Sequence, residues 1–85
     1  MLNEVSIRCF LTLAKTLSFT ETGERLFMTQ QAVSKQISGL EEDLGCTLFR
    51  RSGGRLVLTE AGQVYHDAFS RMDGILEEAK RRAGQ

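Results

Sequence analysis

The chain has 85 residues, and its 11 basic and 11 acidic residues cancel to a formal net charge of zero. Apolar residues make up 41% and charged residues 26%, a globular composition that excludes a disordered tail and allows one domain with a thin core. The charge balance excludes a strongly basic nucleic-acid tail, although it leaves open where the charges lie.

The chain offers little that is typical of an enzyme or a metal site. Cys9 and Cys46 stand apart from any second cysteine or histidine at metal-binding spacing, which predicts two reduced thiols. His66 has no nucleophile at a recognisable spacing and is interpreted as a surface histidine. We therefore predict no enzyme activity, no cofactor and no metal. Asn3 and Glu4 stand where a basic leader is expected and no apolar run is long enough for a membrane, so the predicted location is the cytoplasm.

Two helices are predicted in the first third of the chain. The first runs from about Asn3 to Thr16, and its apolar face consists of Ile7, Phe10, Leu13, Ala14 and Leu17. Ser18 and Thr20 supply capping oxygens for a short second helix from Glu21 to about Phe27, in which Leu26 and Phe27 are expected to be buried. Gly23 disfavours this helix, which indicates a close approach of another helix at that position.

A third helix is predicted from Gln30 to Leu44, with Thr29 as its capping residue and Gly45 at its end. Its apolar residues are spaced by four, three and four positions: Val33, Ile37, Leu40 and Leu44. This spacing leaves the opposite face polar, with Gln30, Ser34, Lys35 and Ser38. The acidic residues 41–43 fall at the carboxyl end, where the helix dipole disfavours negative charge.

The period then changes to that of a β-hairpin at about 48–58, which turns at Ser52-Gly53-Gly54 and carries Arg50, Arg51 and Arg55. Thr59 caps a long helix from Glu60 to about Arg82, which is about 35 Å long. Apolar residues repeat along it at coiled-coil spacing: Ala61, Tyr65, Ala68, Met72, Ile75 and Ala79. So long a seam in so small a chain predicts a homodimer through this helix, the alternative being docking against the first helix of the same chain.

This order of elements predicts a mainly α fold, a winged helix-turn-helix of three helices and a two-stranded wing, followed by a long linker helix. The winged domain spans 1–59, with the helix-turn-helix at about 19–38 and the wing at about 48–58, and the linker or dimerisation helix spans 60–85. A helix that enters the major groove, about 12 Å wide, needs hydrogen-bonding side chains in front and a core-anchored face behind. The third helix meets both requirements, which predicts double-stranded DNA as the partner.

An ordered set of motifs resembles the N-terminal domain of LysR-type transcriptional regulators. The motifs are Ser18-Phe19-Thr20, the run from Leu26 to Ile37, Leu40 to Gly45, Leu48-Phe49-Arg50-Arg51, and Leu58 to Gly62. The resemblance implies a sequence-specific regulator that binds an interrupted palindrome as a dimer. Members of the family are much longer and bind a small-molecule inducer through a C-terminal domain. The resemblance therefore implies that an inducer acts only through a domain absent from this chain. The chain is interpreted as an excised DNA-binding domain, the alternative being a naturally truncated protein.

The resemblance also implies roles for particular residues. It assigns base and phosphate contacts to Thr29, Gln30, Gln31, Ser34 and Lys35. It assigns contacts with the DNA backbone and from the wing to Ser18, Thr20, Arg50, Arg51 and Arg55. The linker helix from Glu60 onward is implied as the dimer-forming element.

The chain departs from the family pattern at several positions that bear on the target sequence. The family usually has proline at Gln31, arginine at Lys35, glycine at Leu17 and an alanine pair at Thr22 and Gly23. Lys35 keeps the positive charge but loses the planar fork of arginine. The alternative hypothesis is a winged protein-interaction module without sequence-specific DNA readout, which is expected to carry exposed apolar anchors on the third helix instead of polar side chains.

Overall fold

Helix α1 spans Glu4–Thr16 in the computed structural model, which describes residues 2–84. Asn3 caps the helix: its side chain accepts a hydrogen bond from the Ser6 amide at 2.9 Å, and the Asn3 amide donates to Ser6 Oγ at 2.9 Å. Leu17 ends α1 in the left-handed conformation with φ 55°. The predicted apolar face is buried or half-buried from Ile7 to Ala14, with Phe10 and Leu13 fully inaccessible. The prediction was wrong for Leu17, which lies past the last turn of the helix and is 44% exposed. The predicted winged domain, 1–59, begins at Met1 and the predicted linker helix, 60–85, ends at Gln85. These two residues lie outside the described residues.

Helix α2 spans Phe19–Leu26 and therefore begins two residues before the predicted Glu21. Ser18 is its capping residue, and Ser18 Oγ accepts a hydrogen bond from the Glu21 amide at 3.0 Å. Thr20 lies inside the first turn, so the prediction that both hydroxyls cap the helix was wrong for Thr20. The two capping candidates, Ser18 and Thr20, are two residues apart, which made this boundary ambiguous by the same two residues.

The turn after α2 corrects two further predictions. Phe27 was expected to be buried, but it is 95% exposed because its left-handed backbone, φ 57°, turns the side chain away from the apolar face of α2. Gly23 does permit a close approach, yet the neighbour is the backbone of this turn and not another helix. A Cβ at Gly23 would lie 2.5 Å from the carbonyl oxygen of Met28. The Met28 amide donates to the Gly23 carbonyl at 2.8 Å, which closes the turn.

Helix α3 spans Gln30–Leu44, as predicted at both ends. Thr29 Oγ1 accepts a hydrogen bond from the Ala32 amide at 3.0 Å, and Gly45 ends the helix with φ 72°. Val33, Ile37 and Leu40 are buried. The helix is thus fastened by one face along its length, and its beginning faces solvent.

Strands β1, Phe49–Ser52, and β2, Arg55–Leu58, pair in antiparallel fashion with Phe49 opposite Leu58 and Ser52 opposite Arg55. The two-residue turn consists of Gly53 and Gly54, both at positive φ, which is the geometry that suits the twist of a hairpin. Leu56 is buried and Leu58 half-buried on the same face, as predicted.

Helix α4 spans Glu60–Ala83 and is about 36 Å long. Thr59 Oγ1 caps it by accepting from the Gly62 amide at 2.9 Å. Gly62 packs so tightly against the Leu48 carbonyl that a Cβ there would overlap the oxygen, which seats α4 on the hairpin. Neither α4 nor any other helix between residues 2 and 84 is long and apolar enough to cross a membrane.

The core is centred on Phe10, whose ring meets those of Phe49 at 5.5 Å and Phe69 at 5.7 Å in edge-to-face geometry. These three rings join α1, the hairpin and α4, while Val33 and Leu40 of α3 complete the same cluster. The fold is a winged helix-turn-helix followed by a long helix, which confirms the predicted architecture.

Candidate nucleic-acid interface

The beginning of α3 presents a polar surface to solvent. Gln30 and Gln31 occupy its first two positions, and Ser34 and Lys35 follow one turn later; all four are exposed, as is the capping residue Thr29. Behind them, Val33 and Ile37 are held in the core. The structure therefore brings all five sequence-predicted base-reading candidates to one projecting helix end.

The beginnings of α2 and α3 lie side by side. The Thr20 hydroxyl on α2 donates to Gln30 Oε1 on α3 at 3.3 Å. Ser18 and Thr29 both cap their helices by accepting backbone hydrogen bonds, so each hydroxyl proton stays available for an acceptor outside the helix. The first turn of α3 contains no acidic side chain, which leaves the positive end of its dipole suited to a phosphate.

The hairpin carries the predicted arginines on its outer surface. Arg50 and Arg51 lie on β1 and Arg55 begins β2, and all three are exposed. No ion pair is found for any of them among residues 2–84. Three guanidinium groups within a six-residue segment give the wing a positive surface that can contact phosphates or a minor groove.

Glu41 joins α3 to the wing, a role that the sequence analysis missed. Its carboxylate oxygen Oε2 accepts hydrogen bonds from the amides of Leu48 at 2.7 Å and Phe49 at 3.3 Å. These donors stand at the entrance to β1, so the carboxylate holds the hairpin against the end of α3. The signal in the sequence was an acidic residue where the helix dipole disfavours it, which indicates a compensating partner.

The predicted seam of α4 divides into two halves. Ala61, Tyr65 and Ala68 are half-buried against the chain's own body, and the Tyr65 ring lies 5.6 Å from that of Phe69. Phe69 lies outside the predicted seam and is a core residue with 4% exposure. Met72 and Ile75 are 51% and 70% exposed, and Ala79 is exposed as well.

The exposed half of α4 forms one wall of an apolar groove of about 610 Å³, whose other wall is the beginning of α1. Its apolar lining comprises Leu2, Ile7, Phe69, Met72, Ile75, Leu76 and Ala79. Arg8 on α1 pairs with Asp73 on α4 at 3.1 Å and braces the two walls.

Cys9 and His66 pack in the core and at its edge. Cys9 is fully buried, its Sγ lies 3.7 Å from Met28 Sδ, and burial raises the pKa of its thiol. His66 is half-buried, with its ring 6.3 Å from that of Phe10, so its interpretation as a surface histidine was wrong in part. Both residues serve the packing behind the helix-turn-helix.

The sequence matches a protein-family model. The model for "Bacterial regulatory helix-turn-helix protein, lysR family" matches residues 5–63, which run from α1 through the wing to the first turn of α4. The chain belongs to this family. The fold and the family together define the DNA-binding domain of a transcription regulator.

Two relatives and one solved structure are similar to most of this chain. A transcriptional regulator of Azotobacter vinelandii, described as uncharacterized and encoded between ibpB and leuC, is 45% identical over 76 residues, 89% of this chain and 53% of that protein. The glycine cleavage system transcriptional activator of Escherichia coli K12 is 47% identical over 77 residues, 91% of this chain and 25% of that protein. The chain thus spans about half or less of these relatives.

The solved structure is that of the BenM DNA-binding domain in complex with benA site 1 DNA. It superimposes with a TM-score of 0.80 at 28% identity, over 96% of this chain and 97% of that one. The likeness extends over the winged domain and the long helix together.

Proposed function

We propose that this domain binds an interrupted palindromic operator as a homodimer, with α3 of each copy in a major groove. The carrying observation is the polar, exposed beginning of α3 on a helix whose other face is buried in the core. The bound structure of the BenM domain supports the proposal, because that domain has the same fold over nearly its whole length. The proposed place of action is the bacterial cytoplasm, where such DNA lies.

The proposed base readers are Gln30, Gln31, Ser34 and Lys35, together with Thr29. A glutamine amide pairs with adenine through two hydrogen bonds, and a lysine ammonium reaches O6 and N7 of guanine. Lys35 is exposed, and no ion pair is found for it among residues 2–84. Its charge is therefore available to a base edge.

The proposed backbone contacts surround this helix end. Ser18 and Thr20 lie at the beginning of α2, beside Gln30, where a hydroxyl donates to a phosphate oxygen. Arg50, Arg51 and Arg55 on the wing supply the charge that neutralises phosphates next to the major-groove site. Such contacts fix the register of the domain on the duplex, while the side chains of α3 read the sequence.

The proposed dimer forms through the exposed half of α4. Met72, Ile75 and Leu76 line the groove and are at least 48% exposed, so nothing between residues 2 and 84 covers these three side chains fully. Burial of such a surface against a second copy is favourable by about 25 cal/mol for each Å² of apolar area. A twofold pair presents two copies of α3 to half-sites about one helical turn apart.

Selection of bound duplexes from a random DNA pool at low salt tests the proposal. We expect enrichment of an interrupted palindrome, since two identical copies read two identical half-sites. Retention of DNA without any enriched sequence would mean that the domain binds only through attraction to the phosphates and does not read the sequence. No retention at all would favour the protein-interaction module in its place.

The double variant Ser34→Ala and Lys35→Ala tests which residues read the bases. We expect the ratio of specific to non-specific affinity to fall by about tenfold or more, because one lost base contact costs about 1–3 kcal/mol. A control that replaces Lys15 and Ser70 by alanine removes the same groups from α1 and α4. An unchanged ratio in the Ser34 and Lys35 variant would move base readout away from this part of α3.

A further inference from the structure

Phe27 is the most exposed large apolar residue found between residues 2 and 84, with 95% of its surface accessible. It ends α2 and stands two residues before Thr29, the cap of α3. Two hydrogen bonds hold the backbone there, from the Phe27 amide to the Glu24 carbonyl at 3.4 Å and from the Met28 amide to the Gly23 carbonyl at 2.8 Å. The ring therefore projects from a fixed turn rather than from a loose loop.

The backbone at Phe27 makes this exposure more notable. Its φ of 57° belongs to the left-handed region, which glycine and asparagine occupy more readily than an aromatic residue. The ring gains no burial within the chain that would offset this conformation. An aromatic side chain makes the left-handed conformation less favourable, and this one adds nothing to the core. Both facts indicate that the ring makes a contact outside the chain.

The residues that follow Phe27 in the chain indicate what the ring contacts. Thr29, Gln30 and Gln31 cap and begin α3, and all three are polar and exposed. Other large exposed apolar residues lie at the two ends of α1 and along α4: Leu2, Val5, Leu17, Val64, Met72, Ile75 and Leu76. An anchor for a protein partner is usually ringed by further contacts that exclude water. A single ring beside hydrogen-bonding side chains fits the edge of a DNA groove, where apolar atoms alternate with acceptors.

We propose that Phe27 packs against apolar atoms of DNA, a thymine methyl group or deoxyribose carbons, at the edge of the groove that α3 enters. This inference rests on the proposed function and adds an apolar contact to its polar readout. Phe27 lies in the fixed turn that leads to Thr29, the cap of α3, so a domain that seats α3 in the groove also brings this turn to the DNA. The rigid turn lowers the entropy lost when the ring becomes ordered on the DNA.

The variant Phe27→Asn separates folding from binding. Asparagine tolerates the left-handed backbone and no buried contact is lost, so we expect a Tm equal to or above that of the parent chain. Leu17→Asn makes the same exchange at the other left-handed non-glycine residue among residues 2–84 and serves as the stability control. We expect the affinity of Phe27→Asn for the selected operator to fall by about five- to tenfold. The slope of log affinity against log salt should stay constant, because no charge is removed.

Operators with single thymines replaced by deoxyuridine identify the contacted atoms. If removal of one methyl group weakens the parent chain but not Phe27→Asn, the ring contacts that methyl group. If every substituted operator weakens both proteins equally while Phe27→Asn still binds less tightly, the ring contacts deoxyribose. Both results support the proposal. Phe27→Leu, which keeps an apolar side chain, should bind with an intermediate affinity.

Equal affinities of Phe27→Asn and the parent chain at matched salt would overturn the inference and leave the ring to a protein partner. That result would leave the proposed function intact, since the parent chain would still select its operator. A parent chain that selects no sequence would instead remove the proposed function itself.

Discussion

At the scale of single residues, Glu41 determines how two parts of the proposed interface are joined. One carboxylate oxygen accepts hydrogen bonds from two amides at the entrance of β1, which lie seven and eight residues after Glu41 in the chain. Amides without this partner would be partly buried and unsatisfied, a condition that costs about 1–3 kcal/mol. Glu41 is therefore a direct link between α3 and the wing, beside the packing of Phe49 on Phe10.

Glu41→Ala should lower the free energy of unfolding by about 1–3 kcal/mol, because the amides of Leu48 and Phe49 lose their acceptor. Chemical denaturation measures this change. Glu42→Ala is the matched control, since Glu42 is the exposed next residue of the same helix end. Equal stabilities of the two variants would mean that water replaces the carboxylate without cost.

Cys9 links stability to alkaline pH. Burial raises the pKa of its thiol above the ordinary value of 9.0, so the unfolded chain loses this proton at lower pH than the folded chain. The contribution of Cys9 is fully present below the unfolded pKa, and it is lost as pH rises through the folded pKa.

The loss of stability at alkaline pH should therefore be shallower in Cys9→Ala than in the parent chain, because the group with the raised pKa is gone. Denaturant unfolding at several values from about pH 8 to 10 measures the slope. Ser70→Ala, an exposed substitution on α4 that removes no titratable group, should keep the parent slope. Identical slopes in both variants would assign the pH dependence to other groups.

Two residues mark the limit of what sequence patterns predict at this scale. Phe27 fits the apolar spacing of α2, so its burial was a reasonable expectation. Its left-handed backbone arises from the turn, and periodicity contains no information on that conformation. Glu41 acts on partners that are distant along the chain, and no local spacing shows such a contact.

At the scale of elements, agreement between signals decided which boundaries were predicted correctly. For α3 the cap at Thr29, the apolar spacing and the stop at Gly45 all indicated Gln30–Leu44, and the structure has those bounds. For α2, Ser18 and Thr20 competed as caps and the predicted start was wrong. The base-reading and wing roles are still predictions, because they concern contacts with DNA and the packing within the chain does not determine such contacts.

The wing arginines give a prediction on electrostatics. Arg51→Ala should weaken binding about equally on specific and random DNA, because a phosphate contact carries no sequence information. The slope of log affinity against log salt should decrease in magnitude by about one. Binding titrations at four or more salt concentrations measure it. An unchanged slope would mean that the arginine touches no phosphate.

At the scale of the whole molecule, the fold separates a core from a projecting arm. Phe10, Phe49 and Phe69 tie α1, the wing and the first half of α4 into one cluster. Beyond Phe69 the large apolar residues of α4 are exposed. Sequence periodicity predicted the apolar stripe, although it did not show where intramolecular burial ends along it.

Met72→Glu tests the proposed dimer. A charge in the exposed half of the stripe should prevent the pairing of two copies, since a buried unpaired carboxylate is strongly unfavourable. Sedimentation should then report a monomer of 9.5 kDa with a folded core. Arg71→Gln, an exposed change on the same helix but outside the lining of the groove, should keep the state of the parent chain. A persistent dimer in Met72→Glu would place the pairing surface elsewhere.

The projecting second half of α4 has a consequence for how assembly and helix formation depend on each other. Isolated helical segments of this length are marginal in water, because few tertiary contacts offset the loss of chain entropy. In the proposed dimer, the last turns gain their support only when a second copy arrives. Helical content should then rise with protein concentration. An operator that holds two copies side by side would act as a template that folds the arm, and each half-site would strengthen occupancy of the other.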